Sequence, residues 1–134
     1  MIQFLDASFR RGHAEVLRGV SLSVARGEVV ALVGRSGSGK TTLLRLVNRM
    51  LAPTSGEVRV DGRPVSDWDP VDLRRHTGYA IQEVGLFPHW TVGANVATVP
   101  RLLGWPDARI TARVDELLEA AGLPPGEFRE RWPD

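Results

Sequence analysis

Residues 34–42 read Gly34-Arg35-Ser36-Gly37-Ser38-Gly39-Lys40-Thr41-Thr42, a stretch with three glycines and one lysine. It matches the pattern G-x-x-x-x-G-K-[ST], in which a loop surrounds the phosphates of a nucleotide. Glycines let the backbone take positive φ and approach an anion without a Cβ in the way. Successive N–H groups then point into one concavity, and the helix that follows adds its positive end. The sequence therefore predicts a phosphate-binding loop, here called the P-loop, at residues 34–42.

Two side chains supply the chemistry that the P-loop backbone lacks. Lys40 is the only lysine in a chain with sixteen arginines. A compact ammonium reaches between two phosphates more easily than a broad planar guanidinium does. Thr41 adds a small hydroxyl of the kind that Mg²⁺ takes as an oxygen ligand. The alternative is a Gly/Ser-rich turn that binds nothing, and the flanking sequence argues against it.

The flanking sequence predicts a strand before the P-loop and a helix after it. Residues 29–33 form a short apolar run that is typical of a strand buried on both faces. Residues 42–50 are predicted as a helix that ends before Pro53. Residues 77–81 predict a second core strand, and Gln82 stands at its end. A strand, a glycine loop and a helix in this order, with a small antiparallel flank, predict an α/β fold.

Antiparallel strands are predicted on both sides of this central unit. Residues 2–9 and 15–24 alternate between apolar and polar side chains, with a short turn between them. Residues 57–65 predict a hairpin, because Asp61-Gly62 is a favoured two-residue turn.

Several short helices are predicted from their capping residues. Asp69 before a proline predicts one, and Thr91 predicts another that reaches about Val99 before Pro100 interrupts the chain. A longer amphipathic helix ends at Gly122. Its apolar face comprises Ile110, Val114, Leu117, Leu118 and Ala121.

The composition excludes several classes of protein. The 134 residues carry a net charge of +1, which argues against a nucleic-acid-binding surface as the main function. The chain has no cysteine, so neither disulfides nor thiolate metal sites apply. No apolar run approaches the ~18 residues that span a bilayer, and the first residues lack the pattern of a signal peptide. We therefore expect a cytoplasmic protein.

A second motif surrounds Gln82. The sequence there reads Tyr79-Ala80-Ile81-Gln82-Glu83-Val84-Gly85-Leu86-Phe87-Pro88-His89-Trp90-Thr91-Val92. Together with the P-loop, residues 53–56 and Asp61-Gly62, this stretch resembles the nucleotide-binding subunit of ABC transporters over essentially the whole chain. Residues 85–90 and 97–105 look most like importers of quaternary-amine osmoprotectants such as glycine betaine, choline or carnitine. Importers of amino acids, polyamines or metal chelates are the alternatives.

The resemblance implies ATP and Mg²⁺ as cofactors and a role for each matching residue. Lys40 would hold the β- and γ-phosphates, Thr41 would ligate Mg²⁺, and Thr42 would contact the α-phosphate. Gln82 matches the glutamine that senses the γ-phosphate and the metal, so Lys40 and Gln82 are the implied catalytic residues, and Thr41 and Gln82 the implied metal ligands. Arg11, with Phe9 two residues earlier, stands where the family places an aromatic residue against adenine. The implied nucleotide-binding residues are Gly34, Arg35, Ser36, Gly37, Ser38, Gly39, Lys40, Thr41, Thr42 and Arg11.

The resemblance also implies partners and a location. Leu86, Phe87 and Trp90 would line a groove for a short cytoplasmic helix of a membrane permease; the alternative is that they form ordinary core. A second ATPase subunit would complete a homodimer in the full-length form, and no nucleic acid is expected. The protein would lie on the inner face of the membrane through its permease. The implied division is a nucleotide-binding core at residues 1–84 and the start of a helical subdomain at residues 85–134.

Some elements of the family pattern are absent. ATP hydrolysis needs an aspartate that holds Mg²⁺ and a carboxylate that orients water. In the family these follow four apolar residues, but Asp61 and Asp115-Glu116 lie in other contexts here. The signature Leu-Ser-Gly-Gly-Gln is also missing, and no histidine follows a core strand. We therefore expect an incomplete ABC ATPase, an N-terminal fragment that binds nucleotide weakly and does not hydrolyse it.

Other functions remain open at this point. The chain could be a non-catalytic remnant or a regulatory piece. An ABC protein that acts in DNA repair or translation is disfavoured by the apolar residues after Gln82, and a small-molecule kinase would share only the P-loop.

Overall fold

The structure, a computed structural model, describes residues 1–81 and 85–133. The chain divides into two compact units, Met1–Thr77 and Gly78–Asp134. The sequence-based division after residue 84 adjoins residues outside the described ranges and stays a prediction.

The first unit is built on a four-stranded antiparallel sheet. The strands β1 (Ile2–Arg11), β2 (Ala14–Val24), β3 (Ser55–Val60) and β4 (Arg63–Pro64) lie in the order β2-β1-β3-β4. The two predicted flanking strands are thus confirmed. The predicted hairpin turn is confirmed as well, since Asp61 and Gly62 take φ of 49° and 80°, as a two-residue turn of this type requires.

The helix α1 (Lys40–Val47) covers this sheet with its apolar face. Leu46 is fully buried, because residues three and four positions apart on a helix share one face. The buried core of the unit comprises Phe4, Ala7, Phe9, Leu17, Leu43, Leu46, Val47, Val58, Val65 and Leu73. The strands and the helix therefore share one core. The P-loop leads into the N-terminal end of α1.

A 3₁₀ helix (Val65–Asp67) and the helix α2 (Pro70–His76) complete the first unit. The predicted cap of α2 is confirmed: one carboxylate oxygen of Asp69 accepts hydrogen bonds from the N–H groups of Val71 (2.8 Å) and Asp72 (3.0 Å). The Arg74 guanidinium donates to the carbonyl oxygens of Asn48 (3.2 Å) and Arg49 (2.8 Å) at the C-terminal end of α1. This arginine therefore fixes one helix against the other.

The second unit is helical. It contains α3 (Val92–Val96), α4 (Thr98–Leu102), α5 (Asp107–Ala120) and α6 (Pro125–Phe128). Its core comprises Ala97, Ile110, Val114 and Leu118. Thr91 caps α3 through its hydroxyl, which accepts from the N–H of Ala94 at 3.2 Å, and Gly122 follows α5 with φ of 74°. None of the helices within residues 1–81 and 85–133 is long and apolar enough to cross a bilayer.

The two predicted core strands are wrong. Residues 29–33 and 77–81 form no strand, and the side chains of Val29 and Val33 are 94% and 95% exposed. A strand that is buried on both faces needs hydrogen-bonded neighbours on both edges and cover on both faces. Among the described residues, none pairs with either segment.

Two details of the predicted helices are also wrong. The helix after Thr91 does not continue to Val99 but breaks at Ala97, and Pro100 lies within α4. Proline is tolerated there because the first turn of a helix does not use its N–H groups. Leu117 and Ala121 belong to the predicted apolar face of α5 but are exposed.

Candidate functional site

The backbone of the P-loop folds around its glycines. Gly37 and Gly39 take φ of 81° and 92°, in the left-handed region that side chains disfavour. The N–H of Ser38 donates to the carbonyl oxygen of Arg35 at 3.2 Å, which closes a tight turn. Gly39 is the N-cap of α1, so the loop passes directly into the helix.

The ammonium of Lys40 lies over this loop. Its Nζ donates to the carbonyl oxygens of Gly34 and Arg35, both at 2.8 Å, and lies 3.4 Å from the hydroxyl of Ser38. The structure thus brings together the first, second, fifth and seventh residues of the motif. A positive charge that two carbonyl oxygens hold beside the loop suits a multiply charged anion.

The N-terminal end of α1 is open to an anion. No side chain caps it, and no acidic residue lies in its first turn. The first N–H groups of a helix have no partner within the helix and carry a partial positive charge. Thr41 is exposed in this first turn, whereas Thr42 is buried. The uncapped helix end, the left-handed glycines and the lysine fit the phosphates of a nucleotide.

Strand β2 supports the P-loop from below. A Cβ on Gly39 would lie 2.8 Å from Cδ2 of Leu17 and 3.1 Å from the carbonyl oxygen of Val16. No local pattern in the sequence predicts this support, because Leu17 and Gly39 lie 22 positions apart.

The two candidates for stacking on adenine, Phe9 and Arg11, both lie on the hairpin of β1 and β2 but differ in exposure. Phe9 is buried in the core of the first unit and is unavailable to a ligand. Arg11 is exposed at the end of β1. On the same hairpin, a hydrogen bond from Arg18 to Glu15 (2.8 Å) lowers the pKa of Glu15.

The predicted metal site is less complete. Gln82 lies outside the described residues. Within residues 1–81 and 85–133, no group of three or more His, Cys, Asp or Glu side chains is placed to hold a metal ion. Of the two predicted ligands, the structure describes only Thr41, which is exposed.

A second candidate surface lies in the second unit. Residues 86–90, here called the aromatic loop, expose Leu86, Phe87 and Trp90 to 45%, 45% and 38%. The ring centroids of Phe87 and Trp90 are 4.6 Å apart, and His89 lies 6.0 Å from the first and 5.8 Å from the second. The alternative that these side chains form ordinary core is not what the structure shows.

Asn95 on α3 is a polar residue that the sequence analysis missed. Its Oδ1 accepts from the N–H of Phe87 at 2.7 Å, and its Nδ2 donates to the carbonyl oxygens of Phe87, Trp90 and Thr91 at 3.1, 3.2 and 3.0 Å. A signal was present, because an asparagine in the first turns after a helix cap is a residue type that bonds nearby backbone.

Known proteins are similar to this chain in sequence or in fold. The choline transport ATP-binding protein OpuBA of Bacillus subtilis is 42% identical over 123 residues, which are 92% of this chain and 32% of that protein. The glycine betaine uptake system ATP-binding protein YehX of Escherichia coli is 44% identical over 133 residues, which are 99% of this chain and 43% of that protein. The chain therefore spans about a third to two fifths of the length of these relatives.

A solved structure of an ATP-binding cassette has a similar fold. The ATP-binding cassette MJ0796, solved as a dimer in a post-hydrolysis state bound to ADP and Pi, superposes with a TM-score of 0.80 at 29% identity. The match covers 99% of this chain and 62% of that one. The family model of ABC transporters matches residues 17–131, from β2 through the P-loop and the aromatic loop. This chain belongs to the ABC transporter family.

Proposed function

We propose that this chain is the nucleotide-binding part of the ATP-binding subunit of an ABC importer. The observation that carries the proposal is the arrangement around Lys40, whose ammonium is held 2.8 Å from two P-loop carbonyl oxygens beside an uncapped helix end. A turn that binds no anion does not require a positively charged ammonium at this position. The triphosphate of ATP supplies the negative charge that it suits.

The roles within the site follow from the chemistry of each group. Lys40 binds the β- and γ-phosphates, and the backbone of residues 34–39 surrounds them. Thr41 and Gln82 would supply neutral oxygen ligands to Mg²⁺, a hard cation that takes oxygen donors at short range. Thr42 contacts the α-phosphate, and Arg11 stacks its exposed guanidinium on adenine. When bound, the metal draws charge from the phosphates.

We propose a quaternary-amine osmoprotectant as the solute that the whole transporter imports. OpuBA and YehX, whose names refer to choline and glycine betaine, support this choice at 42% and 44% identity. The solute itself would bind elsewhere in the transporter, so no residue of this chain is assigned to it.

The aromatic loop is proposed as the contact with the membrane permease. Exposed Leu86, Phe87 and Trp90 present a compact apolar surface, and aromatic residues dominate the binding energy of many protein interfaces. Through this contact the protein would lie on the inner face of the membrane. A second copy of the full-length subunit would complete the dimer.

The chain has the residues that the family uses to bind ATP but lacks those that it uses to hydrolyse ATP. The sequence has no apolar strand followed by Asp-Glu and no Leu-Ser-Gly-Gly-Gln signature. Hydrolysis needs a carboxylate to orient the attacking water. We therefore propose that the chain alone binds ATP without turning it over.

The test is equilibrium binding of ATP with Mg²⁺ to the purified chain, measured by calorimetry. Lys40→Ala removes the ammonium and is expected to weaken binding about tenfold or more, because hydrogen bonds to charged groups contribute about 1.5–3 kcal/mol. Arg45→Ala removes an exposed charge from the last turn of the same helix and is the matched control. Equal affinities of wild type and Lys40→Ala would contradict phosphate binding by the P-loop.

A second measurement addresses turnover. Release of phosphate from ATP by the wild-type chain, at a rate that collapses in Lys40→Ala, would show that the chain hydrolyses ATP and that our proposal on turnover is wrong.

A further inference from the structure

One amide side chain bonds the backbone of the aromatic loop at Phe87 and at Trp90. Asn95 makes four hydrogen bonds, and all of them reach backbone atoms of residues 87–91. Helix α3, which carries Asn95, follows this segment directly, so the chain turns back on its own helix. The amide oxygen accepts one bond, and the two N–H groups of Nδ2 are shared among three carbonyl oxygens; together they satisfy backbone groups that a regular helix or strand would otherwise pair.

The helix under Asn95 is itself fixed. The N–H of Val92 donates to the carbonyl oxygen of Arg131 at 2.7 Å, and the N–H of Gly93 donates to that of Arg129 at 2.9 Å. The Arg129 side chain pairs with Asp115 on α5. Asn95 therefore projects from a helix that is anchored at its N-terminal end, and its bonds tie the aromatic loop to this anchor.

The loop that Asn95 holds is the one that exposes the rings. The Phe87 peptide is bonded at both its N–H and its carbonyl group, and the Trp90 carbonyl is bonded as well. With these backbone positions fixed, the rings of Phe87 and Trp90 are held 4.6 Å apart while remaining 45% and 38% exposed. Rings that are arranged before binding lose less conformational entropy when a partner arrives.

No other common side chain provides the same set of bonds. Aspartate has the shape of asparagine and keeps the acceptor for the Phe87 N–H, but it has no donor for the three carbonyl oxygens and adds a negative charge beside them. Alanine removes the acceptor and the donors together. The two substitutions at position 95 therefore separate the bond that the amide oxygen accepts from the bonds that the two N–H groups donate.

We propose that Asn95 is a positioning residue for permease docking: its amide holds the aromatic loop so that Phe87, His89 and Trp90 form one exposed ring cluster. The proposal rests on the docking surface of the proposed function and adds the residue that shapes it. Asn95 itself is half-buried beneath the loop and acts through the rings.

The first experiment measures the loop in the purified chain by NMR. In Asn95→Ala we expect the Phe87 amide to lose its protection from hydrogen exchange and the ring-to-ring contacts of Phe87 and Trp90 to disappear. In Asn95→Asp we expect the amide to stay protected while the ring contacts disappear. Thr98→Val is the control, because the Thr98 hydroxyl donates to the carbonyl oxygen of Ala94 on the same segment and not to the loop.

Folding is checked separately, so that loss of the loop is not confused with loss of the unit. Contacts within the core of Ile110, Val114 and Leu118 should persist in all variants. If Asn95→Ala loses them, the near-isosteric Asn95→Asp decides. Ring contacts that persist in a folded variant lacking the bonds donated by the amide would overturn the proposal.

The second experiment measures docking with a defined probe. The probe is the membrane part of the Escherichia coli glycine betaine uptake system, whose ATP-binding protein YehX is 44% identical to this chain, reconstituted in proteoliposomes. We expect Asn95→Ala and Asn95→Asp to weaken binding about tenfold, and Phe87→Ala to do the same, because truncating an aromatic anchor has effects of this size. Thr98→Val should bind like the wild type.

The two experiments fail in different ways. A wild-type chain that does not bind the proteoliposomes would contradict the docking function, while the NMR measurement would still decide whether Asn95 shapes the loop. Binding that Phe87→Ala weakens but both Asn95 variants leave unchanged would overturn the role of Asn95 and keep the docking surface.

Discussion

Leu17 lies directly beneath Gly39, with its Cδ2 atom 2.8 Å from the position that a Cβ on this glycine would take. The contact joins β2, on the N-terminal hairpin, to the last residue before α1. Because Leu17 is also part of the buried core, the position of the P-loop is set by the packing of the sheet. The same hairpin carries Arg11, so one contact links the two ends of the proposed nucleotide site.

Gly39→Ala tests this contact. The new Cβ displaces Leu17 and presses on the Val16 carbonyl oxygen, while the backbone keeps φ of 92°. We expect the free energy of unfolding to fall by about 2–4 kcal/mol, from backbone strain and overpacking together, and ATP affinity to fall with it. Denaturant titration and calorimetry measure the two effects.

Gly37→Ala is the matched control for this substitution. Gly37 has φ of 81°, but no atom lies within 4 Å of its added Cβ. It should therefore show the backbone strain alone, about 1–2 kcal/mol. Equal destabilisation by the two substitutions would mean that the contact with Leu17 contributes nothing.

Asp69→Ala tests the cap of α2. It leaves the N–H groups of Val71 and Asp72 without their side-chain acceptor, and we expect a loss of about 1 kcal/mol in the free energy of unfolding. Asp69→Asn keeps an acceptor oxygen and should unfold at nearly the wild-type midpoint. If both variants lose equally, the negative charge rather than the hydrogen bonds stabilises this helix.

The structures that the sequence predicted correctly are those that depend on neighbouring residues. The caps at Asp69 and Thr91, the turn at Asp61-Gly62 and the end of α5 at Gly122 each rest on a few adjacent positions. Such signals act through short-range hydrogen bonds and φ preferences, which the sequence shows directly. The hydrogen bonds of Lys40 are equally local, because they reach P-loop residues no more than six positions away.

The structures that the sequence did not predict depend on distant partners. Residues 29–33 have the composition of a buried strand, but a strand exists only with its neighbours, and the described residues supply none. The support of Gly39 by Leu17 was missed for a related reason, because it joins residues 22 positions apart that no periodicity marks.

Leu73→Ala tests the core of the first unit. Leu73 on α2 is fully buried against the core, so its truncation leaves a cavity, and we expect a loss of about 2–5 kcal/mol in the free energy of unfolding. Val71→Ala, on the same helix but half exposed, should cost well under half as much. Similar midpoints for the two variants in urea would show that α2 does not pack as described.

The pH dependence of stability tests the ion pair at the start of β1. The Met1 ammonium donates to Asp61 at 2.7 Å, and this hydrogen bond lowers the pKa of the Asp61 carboxyl. A lowered pKa in the folded state means that the stabilisation is present above the unfolded value of about 3.9 and is lost as the pH falls through the folded value. The difference in unfolding free energy between wild type and Asp61→Asn should therefore shrink below about pH 4.

Two results check this assignment. N-terminal acetylation removes the positive charge and should abolish most of the same pH-dependent difference, because the ion pair is then broken from its other side. A difference between wild type and Asp61→Asn that stays constant from neutral to acidic pH would show that the ion pair does not form in solution.

The ammonium that lies over the P-loop carbonyls is also the single lysine amine of the molecule. Reagents that acylate amines thus have two targets, Lys40 and the α-amino group of Met1. Intact-mass spectrometry after brief acylation becomes a direct count of P-loop occupancy, since a ligand seated on Lys40 should leave the chain with one adduct fewer. Acylation of Lys40 thus reports on ligand binding without an added label. Replacing surface arginines by lysine would add further reactive amines and hide this signal.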